Sequence, residues 1–393
     1  MRRVIALAMM FVSGLVLKAE GPTHWLYVGT YTGAKSKGIY RAPYDATTGK
    51  IGDPVLAAEV RSPSFLAVDP VNNRLFSVGE IADFGSRRSG SVSSFGLDKS
   101  TGKLTPLSTV SSVGSGPCHL NVDKTGKFVV VANYGGGSTA VLPVQENGNL
   151  GEASGFIQHK GASVNKSRQE GPHAHSANIS PDNRFAIVAD LGLDKLFVYK
   201  LDSKKGQISP NDPAAHETAP GAGPRHFAFH PNGKFGYLLN ELSMTLDALE
   251  FDAEKGTFKQ IASVNTKPDG PQNGESTAEV CVHPTGKFVY ASNRGHHSIS
   301  VFSIDQATGK HERVQVAQGG IKTPRNFVID PSGKFLLVAN QDSDSVISFA
   351  IDQATGTLSP TGQSVSVGTP VCLRFVEILS LIHISEPTRP ERI

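Results

Sequence analysis

The sequence predicts an all-β fold, a seven-bladed β-propeller with four antiparallel strands per blade, and three observations lead there. First, one strand pattern occurs seven times, as Leu26 to Thr30, Phe76 to Glu80, Val129 to Asn133, Ala186 to Asp190, Gly236 to Asn240, Val289 to Asn293 and Leu336 to Asn340. The last residues of these copies lie 50, 53, 57, 50, 53 and 47 positions apart, which is the signature of a repeat protein. Second, the apolar runs are short and bounded by Gly, Pro, Asn and Asp, and no stretch sustains the 3.6-residue period of a helix. Third, the fifth unit divides into four strands, His226 to His230, Gly236 to Asn240, Leu246 to Phe251 and Phe258 to Ser263, with turn residues between them, and four strands per unit is a propeller blade.

Each repeated strand is preceded by a first strand that opens with proline or a small residue: Pro63-Ser64-Phe65-Leu66, Pro117-Cys118-His119-Leu120, Pro172-His173-Ala174-His175, Pro224-Arg225-His226-Phe227, Ser276-Thr277-Ala278-Glu279 and Pro324-Arg325-Asn326-Phe327. The first unit lacks one. Pro370-Val371-Cys372-Leu373 supplies it from the far end, so residues 370–376 are expected to pair with Trp25 to Thr30 and close the ring, removing the open sheet edges that invite aggregation. One domain, residues 25–376, is therefore expected in spite of the length. Its 41 glycines and 24 prolines suit many short strands and turns.

Two end segments stand apart. Arg2 and Arg3 precede an apolar run from Val4 to Leu17, too short to span a bilayer comfortably and arranged like a secretory signal. Residues 1–19 are read as that signal and the protein as exported, to the periplasm; because Leu17 is a poor residue for the cleavage motif, an uncleaved N-terminal anchor is the alternative membrane link. Residues 377–393, with Leu379 to Arg389 reading like a translated sequencing adapter, are set aside as a non-native tail, and His383 carries no functional weight.

Charge and cysteine content exclude several functions. A net charge of +3, without a basic stripe or stacking aromatics, points away from nucleic acid. Cys118, Cys281 and Cys372 have neither metal spacing nor an even count and read as buried free thiols; no metal or cofactor is expected. The Gly135-Gly136-Gly137 run has no helix after it, so it is a poor phosphate cradle.

Topology then places the chemistry. The start of each first strand and the end of each second strand share one face of the ring, and ligands of such folds bind where inner strand ends and loops converge. Arg225 and Glu241 lie eight residues either side of Gly233 and should meet across one hairpin, with Arg294 at the position equivalent to Glu241 in the next blade. His173 and His175, His119 and Arg325 belong on the same face. A structural ion pair is the plain alternative for Arg225 and Glu241. His230 and His283 stand where Asp69, Asp123 and Asp330 stand in other units, and they read as turn caps on the opposite face, as Asn133, Asn240, Asn293 and Asn340 read as backbone-bonding strand ends.

Tyr27 to Thr32, Gly171-Pro172-His173-Ala174-His175-Ser176, Gly223-Pro224-Arg225-His226, Asn240-Glu241-Leu242 and Ala291 to His296 together resemble the seven-bladed β-propeller lactonases, which include bacterial 6-phosphogluconolactonase and the fungal carboxymuconate lactonizing enzymes. The resemblance covers Trp25 to Val376. It implies a lactonase opening an anionic, sugar-derived or carboxylated lactone, with His173 or His175, Arg225, Glu241 and Arg294 as catalytic residues; His119 and Arg325, placed on the same face by topology, are expected to bind substrate. Glu241 or a neighbouring histidine would act as base, one arginine would stabilise the oxyanion and another would hold the anionic arm. The alternatives are a carboxymuconate-type cycloisomerase and a non-catalytic binding propeller, since Tyr290 to Asn293 and Ser298 to Val301 also resemble surface-layer repeats. The oligomeric state is not indicated.

Overall fold

The computed structural model describes residues 21–69, 71–85 and 88–379. The expected signal, residues 1–19, lies outside the described residues, as does the expected tail 377–393 from residue 380 onward; at the start of that tail Glu377 still belongs to the closing strand, opposite His24, and the Ile378 amide donates to the Thr23 carbonyl at 2.9 Å. Seven antiparallel sheets are present; six have four strands, and in the first the outer edge is divided between Lys50–Ile51 and Val55–Glu59. The innermost strands are Pro370–Glu377, Leu66–Asp69, Pro117–Val122, Ala174–Ile179, Pro224–Phe229, Ser276–Val282 and Pro324–Ile329, and each touches the next around a closed circle. No helix among the described residues is long and apolar enough to cross a membrane.

The ring closes as the terminal pattern requires. Trp25 faces Val376 and Val28 faces Leu373, so the last strand is the inner strand of the blade begun by the first. Second strands such as Phe128–Asn133, Phe185–Asp190 and Phe235–Asn240 are buried along their whole length, which explains why they are unbroken apolar runs rather than alternating ones. Faces of neighbouring blades supply the core: Val130, Ala132 and Val141 of blade three pack on Ala177, Ala186 and Val188 of blade four. Full burial of each such Val or Leu contributes about 1.5–3 kcal/mol. Tyr27, Tyr237 and Tyr290 satisfy their buried hydroxyls by donating to Gly102, Gly309 and Gly356 carbonyls of the next blade.

The structure adds one repeated feature that the sequence pattern does not disclose. In blade five Pro224 faces Asn240 and His226 faces Leu239, leaving Arg225 in a β-bulge. The same irregularity falls at Cys118, His175, Arg325 and Val371, and in blade six at Ala278 and Glu279. A bulge re-aims the extra side chain, here at the same level of the first strand in six of the seven blades. Three expected strand bounds shift. The first strands of blades two and four begin at Leu66 and Ala174, not Pro63 and Pro172, and blade two's second strand ends at Gly79, not Glu80.

Candidate functional site

Residues at the bulge level of the first strands, and residues at or just past the ends of second strands, form two rings around one mouth. The first holds Ser64, Cys118, His175, Arg225 and Arg325; the second holds Tyr31, Glu80, Tyr134, Glu241 and Arg294. A small pocket there is lined by Tyr31, Ser64, Glu80, His175, Arg225 and Arg325, with Phe65 and His226 in its wall.

Glu241 is the hub. Its Oε2 accepts from Arg225 Nε at 2.9 Å and lies 3.0 Å from Arg294 Nη2, while Oε1 accepts from Arg168 Nη2 at 2.6 Å. Burial alone would raise its carboxyl, but the guanidiniums of Arg294, Arg225 and Arg168 outweigh that and hold it at about 2. Burial lowers Arg294 to about 10 and lowers Arg225 as well, both partly offset by Glu241. Backbone carbonyls hold further donors of two of them: Arg225 Nη1 donates to Ala278 at 2.5 Å, and Arg294 donates twice to Thr277, at 3.1 and 2.7 Å.

A second carboxylate faces this cluster. Glu80 Oε2 accepts from Tyr31 at 2.9 Å and from Ser64, and Arg325 lies 5.3 Å over the Tyr31 ring. Burial acts to lower Arg325, yet Tyr31, Glu80 and Glu241 carry it above its ordinary value. Four guanidiniums against two carboxylates leave an excess of two positive charges at the mouth, which suits an anion.

The two expected histidines occupy different places. His175 is buried, with Nδ1 3.6 Å from Cys118 Sγ and Nε2 3.9 Å from Glu241 Oε2. Burial first, then Arg225, His226 and Arg325, depress it well below its ordinary value, so the ring is neutral. His173 sits nearer the rim, stacked on Tyr134 at 4.5 Å with Nδ1 3.1 Å from the Tyr134 carbonyl and Nε2 3.3 Å from Glu170. His119 does not line the mouth pocket. It packs on Phe65 at 3.9 Å and lines a second cavity beneath it, with Glu279, Asn121, Asn178 and Arg374.

Four contributors escaped the sequence pattern. Arg168 comes from an irregular strap between Gln158 and Ala174, in the unit whose spacing of 57 is the longest. Asp194 ties that strap down: its carboxylate accepts from Ser163, Gln169, Gly221 and Gly223 at 2.5 to 2.8 Å. Gly192 lets the strap lie close, since a Cβ there would sit 1.9 Å from the Gly171 carbonyl oxygen. Glu80 is equivalent to Glu241, but Gly79 takes the strand-end slot that asparagine fills in four other blades, and this disguises it by one position. Tyr31 and Ser64 have only their repeat positions to signal them.

Residues expected to be structural are so placed. His230 Nε2 donates to Gly286 at 2.9 Å and its Nδ1 accepts from Asn232 at 3.1 Å; His283 repeats the arrangement with Gly333 and Thr285. The three cysteines are free thiols, Cys118 and Cys372 buried and Cys281 half-buried. Gly137 of the glycine run makes room for Pro172, whose carbonyl oxygen would lie 2.4 Å from a Cβ there. Among the described residues, no group of three or more His, Cys, Asp or Glu side chains is placed to hold a metal ion.

Comparison with known proteins agrees with this fold. Residues 25–375 match the family profile described as lactonase, 7-bladed beta-propeller. The chain is 39% identical to a 6-phosphogluconolactonase of Bacillus subtilis over 89% of its own length and 97% of the relative's. It is 36% identical to a 6-phosphogluconolactonase of Formosa agariphila over 78% and 86%. Among solved structures, a periplasmic gluconolactonase of Pseudomonas aeruginosa superposes with a TM-score of 0.85 at 33% identity, covering 91% of this chain and 99% of that one. The chain belongs to the seven-bladed β-propeller lactonase family.

Proposed function

We propose that this lactonase hydrolyses the ring ester of an anionic, sugar-derived lactone of the 6-phosphogluconolactone type, at the mouth built around Glu241. The observation that carries the reading is the convergence of Arg168, Arg225 and Arg294 on one buried carboxylate, beside Arg325 in the pocket wall. Opening a lactone needs an activated water, a partner for the developing oxyanion and a grip on the anionic arm. Arg225 and Arg325 line the pocket with His175 and serve the oxyanion. Arg294 and Arg168, with side chains 16% and 40% exposed, face outward and hold the arm through planar, fork-shaped donors.

Glu241 orders these arginines rather than taking a proton. A carboxyl held at about 2 is ionised at any working pH but is a weak acceptor, and general bases work best near the operating pH. The base is therefore an imidazole of the mouth, and the residues supply the chemistry without a metal. Export is part of the same reading: the Arg2, Arg3 and Val4 to Leu17 pattern, and similarity to a periplasmic protein, favour a periplasmic site of action and unphosphorylated gluconolactone as the second substrate to test.

A pH-stat panel decides between them. Purified protein is given 6-phosphogluconolactone, gluconolactone and a carboxylated muconolactone; the highest kcat/KM is expected on a lactone carrying phosphate or carboxylate. Equal or better turnover of neutral gluconolactone would remove the anionic-arm assignment, and no acid release from any lactone would remove the hydrolytic reading. Fusion of residues 1–25 to a reporter active only after export tests location separately.

A further inference from the structure

On the lactonase reading a proton acceptor has still to be assigned, and three imidazoles stand at the mouth, two of them, His175 and His226, lining the pocket. His173 is committed at the rim to the Tyr134 carbonyl and Glu170. His175 has no carboxylate to orient it at hydrogen-bond distance: Glu241 is 3.9 Å away and already engaged by three arginines. His226 is different.

His226 follows the Arg225 bulge and forms part of the wall of both the mouth pocket and the cavity beneath it. Its Nδ1 lies 2.8 Å from Oε1 of Glu279, contributed by the bulge of the next blade. Glu279 is itself locked: Oε1 also accepts from the Val280 amide at 3.0 Å, and Oε2 accepts from the Asn326 side chain. A carboxylate so placed fixes the proton on Nδ1 and leaves the lone pair on Nε2. That nitrogen has no hydrogen-bond partner among the described residues, yet it is not one of the sealed, unsatisfied polar atoms of the interior.

We propose that His226 is the general base of lactone opening, with Glu279 as its positioning residue. Water loses a proton to Nε2 as its oxygen bonds to the ester carbonyl carbon, and the carbonyl electron pair moves onto oxygen beside Arg225 or Arg325. Collapse of that intermediate breaks the ring C–O bond. The imidazolium returns its proton to the departing alkoxide, so the product is the hydroxy acid and the dyad is restored. Glu279 offsets the charge that forms on His226 between two arginines.

The surroundings keep the ring ready to accept. The groups facing it are Glu279 of blade six, Arg225 of its own strand, Arg325 of blade seven, and the imidazoles of His119 and His175, at centroid distances of 5.2 and 5.4 Å. Burial is the largest influence and lowers its pKa, Glu279 raises it, and the arginines lower it again.

The test uses the full chain on whichever lactone the unmodified protein turns over. His226→Gln should lower kcat by roughly 10² to 10⁴ with KM changed little, the usual range for a general base. Glu279→Gln preserves shape but removes the charge that favours the imidazolium, so the acid limb of the kcat profile should move to lower pH. A purely structural Glu279 would lower the thermal midpoint and leave that limb in place. Turnover within a few-fold of the unmodified protein in folded His226→Gln overturns the proposal. If His226→Gln does not fold, an unmoved acid limb in Glu279→Gln overturns it instead. Absence of lactone turnover by the unmodified protein overturns both this proposal and the reading it rests on, whereas loss confined to the variants supports both.

Discussion

The two ends of the same inner hairpins behave in opposite ways. At the turn end, Asp123 accepts from the Lys127 and Phe128 amides at 2.8 and 2.9 Å, and Asp330 accepts from Lys334 and Phe335 at 2.9 Å. His230 and His283 use the same slot to cap a turn and reach the neighbouring blade. At the mouth end, the equivalent slot holds serine, cysteine, histidine, arginine, valine or, in blade six, alanine with glutamate, and its polar side chains reach across blades. Backbone needs recur in every blade and are met by a small set of residues, whereas a single ligand site at the axis requires each blade to present something different. Variation within a repeat, rather than repetition, marks the chemistry.

The largest effect that could break this contrast is on the ring itself. Ending the chain before Pro370 removes the inner strand of blade one and should abolish the cooperative thermal transition and yield aggregated protein by gel filtration. A stable, soluble product would show that closure is dispensable. Next comes Glu241→Gln. It leaves three guanidiniums without their shared counter-charge and should destabilise by about 3–5 kcal/mol in denaturant unfolding, the cost of breaking a buried ion pair. Turnover should fall with it, because the arginines lose their common anchor.

The pH dependence sharpens the same point. Glu241 is depressed from 4.5 to about 2, so its contribution to stability is complete above about 4.5 and is lost as pH falls from there towards 2. Unfolding measured from pH 7 down to 5 should therefore show no Glu241 titration. Smaller again is His230→Ala, expected to cost about 1–3 kcal/mol through unsatisfied turn groups while leaving kcat unchanged. Smallest is deletion of residues 380–393, which should not move the thermal midpoint.

Blade number, ring closure and the pairing of Arg225 with Glu241 were all readable from the chain, because each sits inside the repeat and the hairpin arithmetic is tolerant. What was hidden lay where the repeat is locally broken. A bulge inserts one residue without changing the apolar pattern, so the common level of Cys118, His175, Arg225 and Arg325 could not be read from spacing. Pro172 looked like the start of a strand that begins at Ala174, which grouped His173 with His175 although only the latter faces Glu241 and Cys118. Arg168 belongs to a strap without periodicity, and its place is decided by Asp194 and by Glu241, both distant in sequence. His119 is expected on the mouth face with the other first-strand groups; it packs on Phe65 and lines the cavity beneath, whereas His226, at the same strand position in blade five, borders both.

The most direct test pairs one residue from each end of a single blade: Arg225→Lys against His230→Ala, with turnover on the preferred lactone normalised to the folded fraction. Arg225→Lys is expected to lower kcat by about 10² to 10³, the loss typical of an oxyanion donor, because an ammonium cannot reproduce the guanidinium fork. His230→Ala is expected to lose stability and keep its kcat. Full turnover by folded Arg225→Lys, or a comparable loss of kcat in His230→Ala, would contradict the assignment of chemistry to the mouth.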